Sequence, residues 1–454
     1  MGESIRVVIV RHGESTYNLE QRFQGRLDRS VLTQRGREQA DCVGRALREI
    51  PFSACFSSPL QRARQTTDVI ATALSAPLQI EDTPLLREIA LYDWEGLRFD
   101  DVRDRFPADY QLWRSRPQDL RLGDRYPLRD LWQQAREFWQ LLQSREWSTL
   151  STAIGSDEPK SFLVVGHSGI NRALIATALG LDETAYAQLG MNNCSISVLN
   201  FANGLGSTAQ VESLNLTGHL GDCLPPTKGG IRLLLVRHGE TEWNRQKRFQ
   251  GQRDIPLNDN GELQARQAAA FLREQPLDLA FSSPLKRPWR TAEIVLEENL
   301  SAQTTPLELQ PVEALQEISH GLWEGLLEQE IEANFPGQLP IWQTTPAKVQ
   351  MPEGENLQQV WDRSLSAWQQ LVEQVRAHSE TATALVVAHD AVNKGILSGL
   401  MGLGPEAFWF FKQGNGAVSA IDYPYGPNGA PVLRAVNITS HIGGVLDCTA
   451  AGAL

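Results

Sequence analysis

"RVVIVRHGEST", residues 6–16, returns as "RLLLVRHGETE", residues 232–242. In each copy a short run of aliphatic residues reads as a strand buried on both faces. Arg-His-Gly-Glu follows at the end of that run. The segments downstream recur in the same order. "RFQGRLD" at 22–28 returns as "RFQGQRD" at 248–254, and "FSSPLQR" at 56–62 as "FSSPLKR" at 281–287. "REIALYDWEGL" at 87–97 returns as "QEISHGLWEGL" at 316–326, and "FLVVGHSGINRAL" at 162–174 as "ALVVAHDAVNKGI" at 384–396. Such ordered self-similarity marks a tandem duplication. Two domains are expected, at 1–222 and 231–454. A linker is expected at 223–230, inside the Pro- and Gly-rich "GDCLPPTKGG".

Each repeat alternates strands with helices. In the first, strands are expected at 5–10, 53–58 and 161–166. Thr33 is the natural N-cap of a helix over 33–49, with Ala40, Val43, Leu47 and Ile50 on one face. A second helix starts near residue 60, and a third follows His167 and ends at Gly180. This alternation predicts an α/β fold: two tandem three-layer α/β/α domains, each with a mostly parallel sheet. Ligands of such sheets bind beyond the C-terminal strand ends. Arg11-His12, Ser57-Ser58 and His167 all stand at such ends, so they can converge.

Bulk properties narrow the function. The chain has 454 residues and a net charge of −12, which argues against a nucleic-acid partner. Its five cysteines (Cys42, Cys55, Cys194, Cys223, Cys448) form no CxxC pair, so a reducing, cytoplasmic setting is expected. The N-terminus runs at once into a strand, leaving no room for a leader. No apolar run approaches the ~18 residues of a membrane span, so no membrane partner is expected.

Repeat one offers Arg11, His12, Asn18, Arg62, Glu88 and His167; repeat two offers Arg237, His238, Asn244, Arg287, Glu317 and His389. Guanidinium forks suit phosphate oxygens. A neutral imidazole can act as a nucleophile. A carboxylic acid can protonate a leaving oxygen. The set is coherent for transfer of a phosphoryl group to histidine and then to water, on a small phosphorylated metabolite. Flanking arginines would repel a cation, and no HxH or HExxH pattern occurs, so no metal and no cofactor is expected.

Taken together, RHGE[ST], SSPLxR, the Glu ahead of WEG, and VVxH resemble the histidine phosphatase superfamily, with its phosphoglycerate mutase-like fold. The resemblance covers nearly the whole chain, twice. It implies that His12 and His238 are phosphorylated, and that Glu88 and Glu317 are proton donors. It implies a phosphate pocket of Arg11, Arg62 and His167, or Arg237, Arg287 and His389. Asn18, Gln24 and Gly25, or Asn244, Gln250 and Gly251, would line it. Within the superfamily, "LREIALYDWEGL", "YPLRDLW" and "NNCSISVLNF" of repeat one resemble 2-carboxy-D-arabinitol-1-phosphate phosphatases. The expected activity is metal-independent hydrolysis of sugar phosphates or carboxylated sugar phosphates. A phosphoglycerate mutase is one alternative. A catalytic domain paired with a regulatory domain that only binds a phosphorylated ligand is another.

Other residues carry plainer expectations. His219 and His441 recur and are read as structural; His320 and His378 lack counterparts and are expected at the surface. Glu95 and Glu324 suit supporting, capping or surface roles. Trp113, Trp132 and Trp139 suit core or pocket wall. Arg114, Arg116, Arg121, Arg125 and Arg129 crowd one segment of repeat one, where repeat two has a single lysine. They form either a solvated face or a site for a second anionic group, with Arg125 the leading candidate.

Overall fold

Val7 to Val10 are fully buried, as a strand with neighbours on both sides and helices above and below must be. The computed structural model describes residues 4–145, 147, 159–221, 224–227, 229–304, 306–424 and 429–449. Cys223 and part of the expected linker 223–230 lie outside the described residues. The chain divides into two compact units, Met1–Asp222 and Cys223–Leu454.

In the first unit, strands β1 (Ile5–Arg11), β2 (Phe52–Ser57), β3 (Ile80–Asp82), β4 (Lys160–Gly166), β5 (Ile196–Phe201) and β6 (Gln210–Leu216) lie in the order β3-β2-β4-β1-β5-β6. β1, β2 and β4 pair in parallel, as do β2 and β3, while β5 and β6 run antiparallel at one side. The second unit repeats the plan. β7 (Ile231–Arg237), β8 (Leu279–Ser282), β9 (Leu309–Pro311), β10 (Thr383–Ala388), β11 (Val418–Tyr423) and β12 (Val432–Ile438) follow the order β9-β8-β10-β7-β11-β12.

The helices follow from handedness. The connections after β1 and β2 step one way along the sheet, and the one after β3 steps back. Right-handed crossovers between these parallel strands therefore place the helices after β1 and β2 on the face opposite the helix after β3. Helix Gln34–Ala46 accordingly packs on Gln61–Ala73, and Pro127–Gln143 on Ser168–Ala178. Thr33 caps the first of these by accepting from Gly36 N at 3.0 Å. That helix ends at Ala46 with Leu47 as its C-cap, short of the expected residue 49, and the chain turns through 47–49. No helix among the described residues is long and apolar enough to cross a membrane.

Candidate active sites

The parallel ladder assembles the first site. Strand β4 lies between β1 and β2, with Arg11 opposite Gly166 and Ser57 opposite Val165. The chain then leaves all three strands at one edge. His12 N donates to Gly166 O at 3.0 Å and Ser58 N to Val165 O at 3.0 Å, so His12 and Ser58 flank His167. The His12 and His167 rings lie 5.1 Å apart. His167 Nε2 is 2.8 Å from Ser58 Oγ. The second site repeats this, with His238 and His389 5.1 Å apart and His389 Nε2 2.8 Å from Ser283 Oγ.

A hydrogen bond settles the tautomer of His12. Its Nδ1 is 2.7 Å from Gly13 O, and a carbonyl can only accept, so Nδ1 carries the proton and Nε2 the lone pair. His238 makes the same bond to Gly239 O at 2.7 Å, and its Nε2 accepts from Arg287 Nε at 3.2 Å. Burial, then Arg62 and Arg11, hold His12 well below its ordinary pKa. Burial, then Arg287 and Arg237, do the same to His238. Both imidazoles are therefore neutral near pH 7. Burial also lowers Arg11, Arg62 and Arg287, to about 10, which leaves them cationic.

The arginines are aimed by backbone carbonyls. Arg11 Nη1 donates to Met191 O at 2.8 Å, and Arg62 Nη2 to Gly25 O at 2.9 Å. Arg287 Nη2 likewise donates to Gly251 O at 2.7 Å. The Gln250 amide satisfies both its neighbours when its nitrogen donates to Thr241 Oγ1 and its oxygen accepts from Arg287. Gly25 has φ +49°, and a Cβ there would meet Glu95 Oε1 at 2.1 Å. Glu95 is thus a loop clamp, taking Arg26 N and Leu91 N at 2.9 Å each. Glu324 clamps Gly251 alike, accepting from Gln252 N at 2.9 Å.

Glu88 sits on a helix N-terminus, where orphan amides favour a carboxylate. Its oxygens accept from Gly169 N at 3.0 Å and Ile170 N at 3.3 Å. Glu317 accepts from Ala391 N at 3.2 Å. Burial raises the pKa of Glu317, as does the charge of Asp390, while Arg287 opposes the shift. The sites differ here. Repeat two carries a buried network in which Asp390 lies 2.6 Å from Lys394 Nζ and 3.4 Å from Arg237 Nη1. Ser168 and Arg172 hold the matching positions in repeat one. Among the described residues, no three His, Cys, Asp or Glu side chains gather as a metal ligand set.

Some expected residues serve the site indirectly. Asn18 Oδ1 is taken by Ser15 N, Ser15 Oγ and Asn193 Nδ2, and Gln24 Oε1 by Ser15 Oγ, so both brace the loop behind His12. Asn244 does likewise for Thr241. Of the five crowded arginines, Arg116 and Arg121 pair with Asp119 and Asp124, and Arg129 lies over the Tyr126 ring. Arg125 lines a separate cleft of about 310 Å³ with Tyr92, Trp94 and Phe106. Neither His12 nor Arg62 reaches that cleft.

One expectation is overturned. His320 is fully buried, not a surface residue, with its ring 5.1 Å from Phe249 and 5.8 Å from Trp342. It occupies the place of buried Leu91 in repeat one. Matching the repeats residue by residue from Trp94 and Trp323 would have revealed an apolar position. His378 is exposed, while His219 and His441 bond the carbonyls of Cys194 and Gly416. Sequence reasoning also missed Asn193 and Asn415, whose amides donate to His12 O at 3.0 Å and His238 O at 3.3 Å. Their recurrence in "NNCSIS" and "GNGAVS" was the available signal.

Comparison with known proteins fits this geometry. The model of the histidine phosphatase superfamily (branch 1) matches residues 7–215 and 233–439. "2-carboxy-D-arabinitol-1-phosphatase" of Triticum aestivum is 31% identical over 98% of this chain and 88% of its own length. The Arabidopsis thaliana "Probable 2-carboxy-D-arabinitol-1-phosphatase" is 30% identical over 96% of this chain and 88% of its own length. "Phosphoserine phosphatase 1" of Hydrogenobacter thermophilus is 34% identical, covering 47% of this chain and 95% of its own length.

Proposed function

The chain belongs to the histidine phosphatase superfamily and is a phosphoric monoester hydrolase, and from that premise we propose that both domains catalyse through phosphohistidine. The observation that carries this reading is the Nδ1–H bond of His12 and His238 to the next carbonyl, which leaves the Nε2 lone pair of each as the nucleophile, that of His238 held by Arg287 Nε at 3.2 Å. Nε2 attacks phosphorus and the P–O ester bond breaks. Glu88 or Glu317, as the acid, gives its proton to the departing oxygen. Water then attacks the phosphohistidine, the carboxylate takes its proton, the Nε2–P bond breaks and inorganic phosphate leaves. Arg11 and Arg62, or Arg237 and Arg287, bind the equatorial oxygens. Arg11 Nε, Arg62 Nε and Arg237 Nε are buried without a hydrogen-bond partner among the described residues, and a bound phosphate would supply one. These arginines provide the positive charge that a metal would otherwise bring.

For substrate, we favour small phosphorylated metabolites, carboxylated sugar phosphates such as 2-carboxy-D-arabinitol 1-phosphate first. The near full-length likeness to the wheat enzyme supports this class. The test is phosphate release from a panel of phosphorylated sugars and sugar acids, with acid-labile phosphate mapped after rapid quench. Label at His12 and His238 is expected. Turnover with no label at either histidine would overturn the mechanism, and no preference for sugar acids would overturn the substrate class.

A further inference from the structure

The backbone that carries each acid is held by an arginine and a glutamine that have exchanged places between the domains. In the first domain, Gln134 stands on helix Pro127–Gln143 and donates to Leu85 O at 2.9 Å and Arg87 O at 2.7 Å. Its Oε1 accepts from Arg26 Nη2 at 2.7 Å, and Arg26 Nε donates to Glu88 O at 3.1 Å. In the second domain the helix residue is Arg363. It donates to Ala314 O at 2.8 Å, Gln316 O at 2.6 Å and Glu317 O at 3.0 Å. The loop residue is Gln252, which donates to Glu317 O at 3.0 Å. Position 26 matches 252 and position 134 matches 363, so the same three carbonyls are gripped with the donors swapped. Glu355 pairs with Arg363 at 2.7 Å and takes Ser319 N at 2.8 Å, where the first domain has Tyr126.

We propose that Arg26 with Gln134, and Gln252 with Arg363, are positioning pairs for the general acid, each needing one arginine on either the loop or the helix. The proposal rests on the reading of Glu88 and Glu317 as acids. Each carboxylate is fixed at one end by helix amides. The pair fixes the other end by holding the acid's own carbonyl and those just before it. With both ends held, the carboxyl keeps one distance from the leaving oxygen. Slack there costs proton transfer and leaves phosphate binding intact.

The experiment uses the full chain with His238→Ala, so that only the first site turns over. R26Q and the rebuilt exchange R26Q/Y126E/Q134R are compared on an alkyl phosphate and on p-nitrophenyl phosphate, beside E88Q. Arg26 is exposed, so R26Q spares the core. We expect R26Q to lower kcat on the alkyl ester about ten- to a hundredfold with KM little changed, and to spare the aryl ester. The rebuilt exchange should recover most of that loss. The mirror pair, R363Q against Q252R/E355Y/R363Q with His12→Ala, should behave alike and stands in if the first exchange misfolds. Equal losses on both esters, or no recovery in either exchange, would overturn the proposal. If E88Q itself fails to discriminate between the esters, the acid assignment falls and the positioning role with it.

Discussion

Asp390 Oδ1 lies 3.4 Å from Arg237 Nη1, so a buried carboxylate of the protein itself leans on the arginine proposed to bind phosphate in the second domain. The same carboxylate raises the pKa of Glu317. Asp390→Asn removes that negative charge and leaves Lys394 and Arg237 less compensated. Both changes favour the ionised form of Glu317, so its pKa falls. With His12→Ala to isolate the second site, the alkaline limb of kcat on an alkyl phosphate should move to lower pH. A limb that stays in place, or moves up, would disprove the coupling.

His12→Ala and His238→Ala should each remove one activity and leave the other. The two sites share the tautomer, the paired histidine and the arginines. Each single variant should keep phosphohistidine on the remaining site, and the double variant should be inactive. If one single variant already abolishes all turnover, the other domain is a binding module only.

Glu88→Gln and Glu317→Gln should slow poor leaving groups most. General acid catalysis contributes roughly 10²–10⁴-fold. An activated aryl ester departs without a proton and should lose far less. Matching losses on alkyl and aryl esters would show that these carboxylates do not supply the proton.

His320→Leu should flatten the acid side of the stability curve. Burial lowers the His320 pKa to about 3, from an ordinary 6.5. Below pH 6.5 the unfolded chain therefore takes a proton that the folded chain refuses. This costs up to ~1.4 kcal/mol per pH unit until the folded value is reached. Leucine fits, because Leu91 fills the matching position and both ring nitrogens of His320 lack partners among the described residues. Urea midpoints at pH 7.5 and 5.0 check it. The variant should lose less stability between them than the parent, and parallel losses would refute the account.

The duplication, the strand ends and the Arg-His-Glu sets were legible from residue order alone. Strand periodicity and turn chemistry are local, and a parallel sheet delivers its strand ends to one edge whatever the loops do. His12, Ser58 and His167 meet for that reason. Other roles required the packed chain. Glu95 looks like any surface acid until Gly25, 70 residues earlier, folds against it. His320 reads as polar until Phe249 and Trp342 close over it. Arg26 and Gln134 share no motif, yet they meet at 2.7 Å beneath Glu88. The crowded arginines read equally as a solvated face or an anion site, and short-range acids take two of them. The difference is physical: propensity and pleat act over a few residues. Desolvation and hydrogen-bond partnership depend on which distant segments exclude water from a group, and packing alone sets that.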